Sequence, residues 1–497
     1  MNIQNSFQAM LRRRRKLASL AVYAIMTMVP RGANAIIAIT YAAFLSPAAL
    51  GIYGVCLAMQ SMLAFFLDGG VSQAIVRTYY DHHNEPAVAR AYLARMVVTS
   101  RAVSLLSSLV LLAAGYFAWK PLTAGQVPFW PIFPLVLFAS FLERGGELLA
   151  NICRALERPK MFAAGDSAQA VTLILAAIVL VVVLKLGILG AILALVAGSL
   201  ARTIVFTYLL RRHENIKWAL QLSSYAEFHE AVKFGMPIVA NQVSTWGRQM
   251  GQRVVLLHVV PAAQVGVFFL AGSIANMLLV IVQAVSAVFD PLYYKRRVED
   301  AEGFRQKVQI FTQIYFAILA MIVIPCILFV DEINHLLFKN KYENLGPAAA
   351  ILLAASYARL QQPFISKQLL FQKKTLWIPL ATLGPSLIAL ALTPVVAPQG
   401  GLAAVSWLAV AAVVASLVGL GTAVRRYEEL DFPTGTAAAL LFLVCLSAFW
   451  ISIGAPGPDG HPVKILMKAV LAIAIVGICA FVWLWKNRSF LRTIARG

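Results

Sequence analysis

The sequence predicts an all-α polytopic membrane protein of about fourteen transmembrane helices, arranged as two pseudo-symmetric six-helix lobes plus two C-terminal helices. Three observations carry that prediction. Of 497 residues, 60% are hydrophobic and 13% charged, with a mean hydropathy of +0.78, which is more apolar surface than a globule can hide from water. The apolar residues come in runs of roughly twenty or more, separated by short and often basic loops. The chain also repeats itself at an offset of about 214–215 residues. The same composition excludes other classes. A net charge of +21 would suit a nucleic-acid binder, but the basic residues are spread over loops between apolar runs and do not form one soluble module. Cys56, Cys153, Cys326, Cys445 and Cys479 each stand alone in or at the end of an apolar segment, so no disulfide framework, metal site or cofactor is expected.

In chain order, Arg12-Arg13-Arg14-Arg15-Lys16 leads into a first span near 17–44. No small-residue cleavage site follows a short apolar core, so it reads as a retained helix. Further spans fall near 49–75, 94–117, 130–153, 161–184, 188–210, 234–259, 264–289, 308–330, 345–371, 376–397, 402–424, 433–454 and 463–485. Loop charge sets the orientation. With both termini cytoplasmic, Arg77, Arg90, Arg154, Arg158, Arg211, Arg212, Lys295, Lys373, Lys374, Arg425 and Arg426 fall on that side, whereas the periplasmic loops hold scattered lysines such as Lys120, Lys185, Lys339, Lys341 and Lys464. The bias is roughly five-fold.

The repeat is legible in four places. Leu45-Ser46-Pro47-Ala48-Ala49-Leu50-Gly51-Ile52-Tyr53 recurs as Val259 to Phe268 with one residue inserted, and Tyr79-Tyr80 recurs as Tyr293-Tyr294. Arg144 matches Arg359, and Arg211-Arg212-His213-Glu214 matches Arg425-Arg426-Tyr427-Glu428. This gives a first lobe over 1–214, a second over 215–428, and two additional helices with a basic tail over 429–497. An even number of spans per repeat keeps both lobes in one orientation, with the site expected at their interface.

Span seven, FGMPIVANQVSTWGRQMGQRVVLLHVV, carries two arginines in its interior. Asn241, Thr245, Arg248 and Gln252 follow an i, i+4, i+7, i+11 pattern that stacks them on one helical face, widened by Gln242, Gln249 and Arg253. A charge near mid-bilayer costs at least ~2.5–3.5 kcal/mol and is tolerated mainly towards a bundle interior or a wet cavity. The helix is therefore expected to line a cationic cavity; for Arg253, satisfaction by helix carbonyls or snorkelling to the interface is an equal reading. Position 248 maps onto Asn34 in span one, where Arg31 lies one turn earlier, so both repeats put an arginine in their first helix. Glu143 and Glu147 flank Arg144 closely enough for an internal ion pair, and Arg202 and Asp166 are open to the same two readings. Trp246 reads as packing or as a stacking surface for a sugar ring.

The PAALGIYG unit at 47–54, the LDGGVSQAIVR run from Leu67 to Arg77, and the second-half turn Gly251-Gln252-Arg253 ahead of Pro-Ala-Ala-Gln-Val-Gly resemble bacterial oligosaccharide flippases. These form the polysaccharide-transporter branch of the multidrug/oligosaccharidyl-lipid/polysaccharide (MOP) exporter superfamily. The resemblance implies transport of a polyprenyl-pyrophosphate-linked oligosaccharide across the inner membrane, with membrane lipids and a polysaccharide polymerase or ligase as partners and no nucleic acid. It makes Arg31, Arg248, Arg253 and Arg359 the pyrophosphate contacts, because guanidinium forks match phosphate oxygens. Asn34, Asn241, Gln242, Thr245, Gln249 and Gln252 become cavity-lining donors to sugar hydroxyls. Asp68, Glu143, Glu147, Asp166 and Asp290 are candidates for ion coupling, with ion pairing or packing as the other reading of each. Gln252 stands where many relatives carry an acid. A lipid II flippase and a multidrug exporter are the alternatives within the superfamily. A membrane-embedded glycosyltransferase would be expected to show a large extramembrane loop or a DxD motif, and neither is present.

Overall fold

The computed structural model describes residues 36–72, 74–75, 79, 85–214, 216, 221–299, 301–453, 468 and 477. Arg31 and Asn34 lie outside these residues, as do most of spans one and fourteen; the side chains of Asn241, Thr245, Arg248, Gln249 and Asp290 are likewise outside the description. Among the described residues, eight helices are long and apolar enough to cross a membrane. By packing, the chain divides into two units, Met1–Gly266 and Val267–Gly497.

In the first unit, α1 (Pro47–Leu67) starts where Ser46 accepts from the Ala49 N–H and Pro47 presets the first turn. It ends at Asp68-Gly69-Gly70, where two positive φ values, 59° and 85°, suit residues without a Cβ. There follow α2 (Pro86–Leu122), α3 (Ile132–Ala155) and α4 (Pro159–Ala177), which runs on as a π-helical stretch, Ile178–Val183. A turn through Lys185 and Gly187 opens α5 (Gly187–Glu214). The central element is α3, packed against α1, α2 and α5, with α4 laid along α5.

Span seven is not one regular helix. It comprises α6 (Tyr225–Trp246), a π-helical turn Gly247–Gly251, and the short α7 (Gln252–Leu256). The face of α6 carrying Gly235, Val239, Trp246 and Met250 lies on α1. Gly70 and Gly235 touch backbone to backbone, Trp246 Nε1 donates to the Ala58 carbonyl at 2.7 Å, and Ser61 Oγ meets Met250 Sδ at 3.2 Å. At the far end a Cβ on Gly51 would fall 1.9 Å from the Ala262 carbonyl oxygen, and one on Gly266 would fall 2.0 Å from that of Pro47. Gly51 and Gly266 are the matching glycines of the repeated Pro-Ala-Ala motif, and only glycine permits that crossing. The Trp246 bond also answers the question left by the sequence: this indole is a packing residue.

The second unit contains the remainder of α8 (Ala262–Glu299), then α9 (Ala301–Leu328), α10 (Val330–Phe338), α11 (Leu345–Arg359), α12 (Gln362–Phe371), α13 (Trp377–Arg425) and α14 (Thr434–Ser452). The tenth span, predicted as one run over 345–371, is broken at Leu360–Gln361 ahead of Pro363. The long α13 is two helices meeting at Gly401 (φ 61°), as the separate spans eleven and twelve require. α14, the thirteenth span, packs on α9 and α11, and its Phe442 and Phe449 are 66% and 49% exposed, as lipid-facing residues are.

Candidate functional site

A ladder of polar side chains on α3 grips the end of α1. Ser140 Oγ donates to the Gln60 carbonyl (3.1 Å), Arg144 Nε to that of Ala64 (2.9 Å) and Asn151 Nδ2 to that of Ser72 (2.6 Å). These residues at i, i+4 and i+11 share one face of α3. Arg144 also pairs with Asp68 at 3.1 Å, both being almost completely buried. The Asp68 carboxylate in turn accepts from the N–H groups of Gly70 (3.1 Å) and Ser72 (3.0 Å), satisfying the backbone that the glycine break exposes. The ion pair expected between Arg144 and its neighbours Glu143 and Glu147 is therefore not the one formed. Glu143 and Glu147, four residues apart, share a face of α3 turned towards α5, while the Arg144 side chain is drawn to Asp68 at the end of α1.

They pair with Arg202 instead. Its guanidinium, 6% exposed on α5, meets Glu143 at 2.8 Å, Asp166 of α4 at 2.8 Å and Glu147 at 3.4 Å. Glu143 Oε2 also accepts from Gln169 Nε2 (2.7 Å) and Ser199 Oγ (2.9 Å), while Glu147 shares Arg154 at 3.4 Å. Gly146 makes the room, since a Cβ there would sit 3.0 Å from Arg202 Cδ. Asp166 lies seven residues into α4, roughly 10 Å from its start, so the cluster sits inside the helical layer. Three carboxylates against Arg202 and Arg154 leave one negative charge in excess. Four of the five ion-coupling candidates thus fall into two connected networks: Asp68 with Arg144, and Glu143, Glu147 and Asp166 around Arg202.

In span seven Arg248 lies within the π turn. A π turn absorbs about one extra residue, so everything after Gly251 is rotated by roughly 100° from a constant 3.6-residue phase. The stripe Asn241, Thr245, Arg248, Gln252 consequently does not continue in register: Gln252, half-buried, departs from it, and Arg253, 7% exposed, moves towards it. Buried as it is, Arg253 suits a cavity or satisfaction by helix carbonyls better than a snorkelling side chain. Gln242 Oε1 is enclosed without a hydrogen-bond partner among the described residues. The end of span seven is held by Gln126, whose Nε2 donates to the Leu257 carbonyl (2.6 Å) and whose Oε1 accepts from the Ala262 N–H (2.8 Å). Arg359 closes α11 in the second unit, half-buried.

One intramembrane arginine escaped the sequence reading. Arg101, midway along α2, lies over Gly145, where a Cβ would fall 1.7 Å from its guanidinium, and donates to the Phe141 carbonyl at 3.2 Å. The signal was the Gly145-Gly146 pair beside Arg144, which makes space for two arginines from other helices.

The family described as polysaccharide biosynthesis protein matches residues 17–295, more than half of the chain. The chain belongs to this family. Its members are transporters of the MOP superfamily and not enzymes, and this chain is, like them, a multi-pass membrane protein. Solved structures agree on the fold. The chain is similar to the lipid II flippase MurJ in an inward closed conformation, with a TM-score of 0.70 and 15% identity over 95% of this chain and all of that one. It is similar to a multidrug resistance MATE family transporter in its inward-facing conformation, with a TM-score of 0.59 and 16% identity over 84% of this chain and 98% of that one. No curated protein matches.

Proposed function

We propose that the protein is a flippase of the inner membrane that carries a polyprenyl-pyrophosphate-linked oligosaccharide from the cytoplasmic to the periplasmic leaflet, for assembly of a surface polysaccharide such as O-antigen, capsule or exopolysaccharide. One observation carries the reading: a helical segment of membrane length holds Arg248 and Arg253 in its interior, with Arg248 in a π turn and Arg253 buried just beyond it. A pyrophosphate is a dense anion that hydrocarbon excludes, and guanidinium groups remain charged at any physiological pH while matching its oxygens. In this reading Arg31, Arg248, Arg253 and Arg359 receive the pyrophosphate. Asn34, Asn241, Gln242, Thr245, Gln249 and Gln252 meet the sugar, the Gln242 oxygen, which has no partner among the described residues, being the clearest acceptor. Transport proceeds by alternating access around that cationic cavity, with both termini in the cytoplasm. The excess carboxylate around Arg202, together with Asp68 and Asp290, supplies the coupling charge.

The test is made in cells lacking the gene, by measuring the amount and membrane face of polyprenyl-pyrophosphate-linked oligosaccharide. The expected result is accumulation of completed units on the cytoplasmic face, relieved by the wild-type protein but not by Arg248→Glu. Complete units already on the periplasmic face would overturn the reading in favour of an exporter of other cargo. Accumulation of lipid II would reassign the cargo to peptidoglycan precursors.

A further inference from the structure

The turn between α13 and α14 encloses an open cavity of about 790 Å³, lined by Gln309 and Gln313 of α9, by residues 425–430 and by the first turn of α14. It joins two helices of membrane length, so it lies at the level of the lipid head groups whichever leaflet that is. Arg426, which lines it, and the neighbouring Lys374 are held in place by aromatic rings. The Arg426 guanidinium lies 4.8 Å over the Trp377 ring, the Lys374 ammonium 5.2 Å over the Tyr427 ring, and Trp377 Nε1 donates to the Tyr427 hydroxyl at 2.9 Å. The acids of the turn are engaged elsewhere. Glu428 takes Arg297 and Gln368, Glu429 takes Arg305, and Asp431 takes Arg297 (3.1 Å) and Arg305 (3.7 Å). Among the described residues, no carboxylate pairs with Lys373, Lys374, Arg425 or Arg426, so the region carries a surplus of positive charge at the membrane surface. Directly beside Trp377, Leu376, Leu380 and Leu387 are 77%, 66% and 56% exposed and share one stripe of α13.

We propose that this cavity is a binding site for the anionic head group of a bilayer phospholipid, with Arg425 and Arg426 contacting the phosphate and the acyl chains lying on the Leu376–Leu387 stripe. The site is separate from the residues assigned to the cargo and stands whether or not that assignment does. Clusters of lysine and arginine at a membrane surface gather anionic lipids in this way, and a free phosphate would have no use for the adjoining apolar stripe.

The experiment uses the full chain, purified from membranes and analysed by native mass spectrometry with titrated phosphatidylglycerol or phosphatidylcholine. Wild-type protein is expected to retain phosphatidylglycerol in preference to phosphatidylcholine. The exposed pair Arg425→Gln/Arg426→Gln should weaken that retention on the order of tenfold, and Lys373→Gln/Lys374→Gln by a smaller factor. Arg211→Gln/Arg212→Gln, the same charge loss at the matching turn of the first repeat, should leave it unchanged. Equal loss in the two arginine pairs would reduce the effect to general surface charge and overturn the site. Equal retention of the two phospholipids, displacement by inorganic phosphate as effective as by short-chain phosphatidylglycerol, or retention of a polyprenyl pyrophosphate in its place would each overturn it as well.

Discussion

The two repeats share their turns and some of their charges, but not the charged cluster around Arg202. Residues with left-handed backbone recur at the repeat offset: Ala124 and Gly125 (φ 50° and 70°) answer Lys339 and Asn340 (51° and 58°), Glu157 (54°) answers Lys373 (61°), and Gly187 answers Gly401, both at 61°. The polar interior does not recur. Where the first repeat has Glu143, Glu147, Asp166 and Arg202, the second has Ala358, Gln362, Leu380 or Ala381, and Ser416. Near the matching arginine, Arg359, the second unit packs Phe316, Tyr357 and Phe364, with the Tyr357 hydroxyl donating to the Phe316 carbonyl at 3.0 Å. The glycine break after α1 is missing too: α8 runs unbroken to Glu299, and neither Val282 nor Gln283, at the positions matching Asp68, is acidic. Turn positions persist because a chain reversal needs particular φ values in whichever repeat it occurs. Helix interiors can be filled by any set of groups that is mutually satisfied, so they are free to diverge. A cluster of desolvated charges kept in one repeat alone therefore answers to something the fold does not demand.

The strongest way to break this comparison is Arg202→Met. It leaves three carboxylates in the helical layer without their shared cation and is expected to cost about 3–5 kcal/mol, read as a large fall in melting temperature and in monodisperse yield. Ser416→Ala, at the matching position, removes a hydroxyl bonded only to the Ala412 carbonyl and should cost under about 1 kcal/mol. Similar losses in both would mean that the charges are incidental to the first repeat. Next comes the pair peculiar to the first repeat, Asp68 and Arg144. A double-mutant cycle of Asp68→Asn and Arg144→Gln should return a coupling of about 2–3 kcal/mol, and a coupling near zero would make the glycine break self-supporting.

A third measurement sharpens the shared half of the comparison. Gly187 and Gly401 have the same φ, and neither would bring a Cβ within 4 Å of another atom, so alanine meets only backbone strain at both. Gly187→Ala and Gly401→Ala should therefore each cost on the order of 1–3 kcal/mol, Gly401 lying at φ 61° and ψ −158°, a region essentially confined to glycine. Unequal costs would show that the two turns are alike in φ but not in role.

The legible part of the molecule follows the same division. Hydropathy gives the described spans because each is a local average. Gly400-Gly401 marks the join between spans eleven and twelve in a stretch that is otherwise helical throughout. The partner choice of Arg144 was not legible, because Asp68 lies 76 positions away while Glu143 and Glu147 sit temptingly near. The same holds for Arg202, whose three acids come from two other helices and are separated from it by 36 to 59 positions. The π turn was hidden as well: Gly247-Arg248-Gln249-Met250-Gly251 has nothing in its composition to say that one residue will be absorbed there, yet that residue decides which face Gln252 and Arg253 take.

The smallest expected effect on stability is that of Gln242, and it is best read beside another amide of the first unit. Asn151 is satisfied on both sides, donating to the Ser72 carbonyl and accepting from Arg154, so an apolar replacement strands a buried carbonyl and costs about 1–3 kcal/mol. Gln242 differs, because its enclosed Oε1 has no partner among the described residues. Gln242→Met keeps the length of the side chain and removes the orphaned acceptor, so stability should hold or rise by up to about 1 kcal/mol. If that oxygen is reserved for a hydroxyl of the cargo, delivery of lipid-linked oligosaccharide to the periplasmic face should fall in the same variant. A stability loss with transport intact would place Gln242 with Asn151 among the groups that hold helices together. A stable protein with impaired transport would separate the polar groups of span seven from those of α3 by what they act upon.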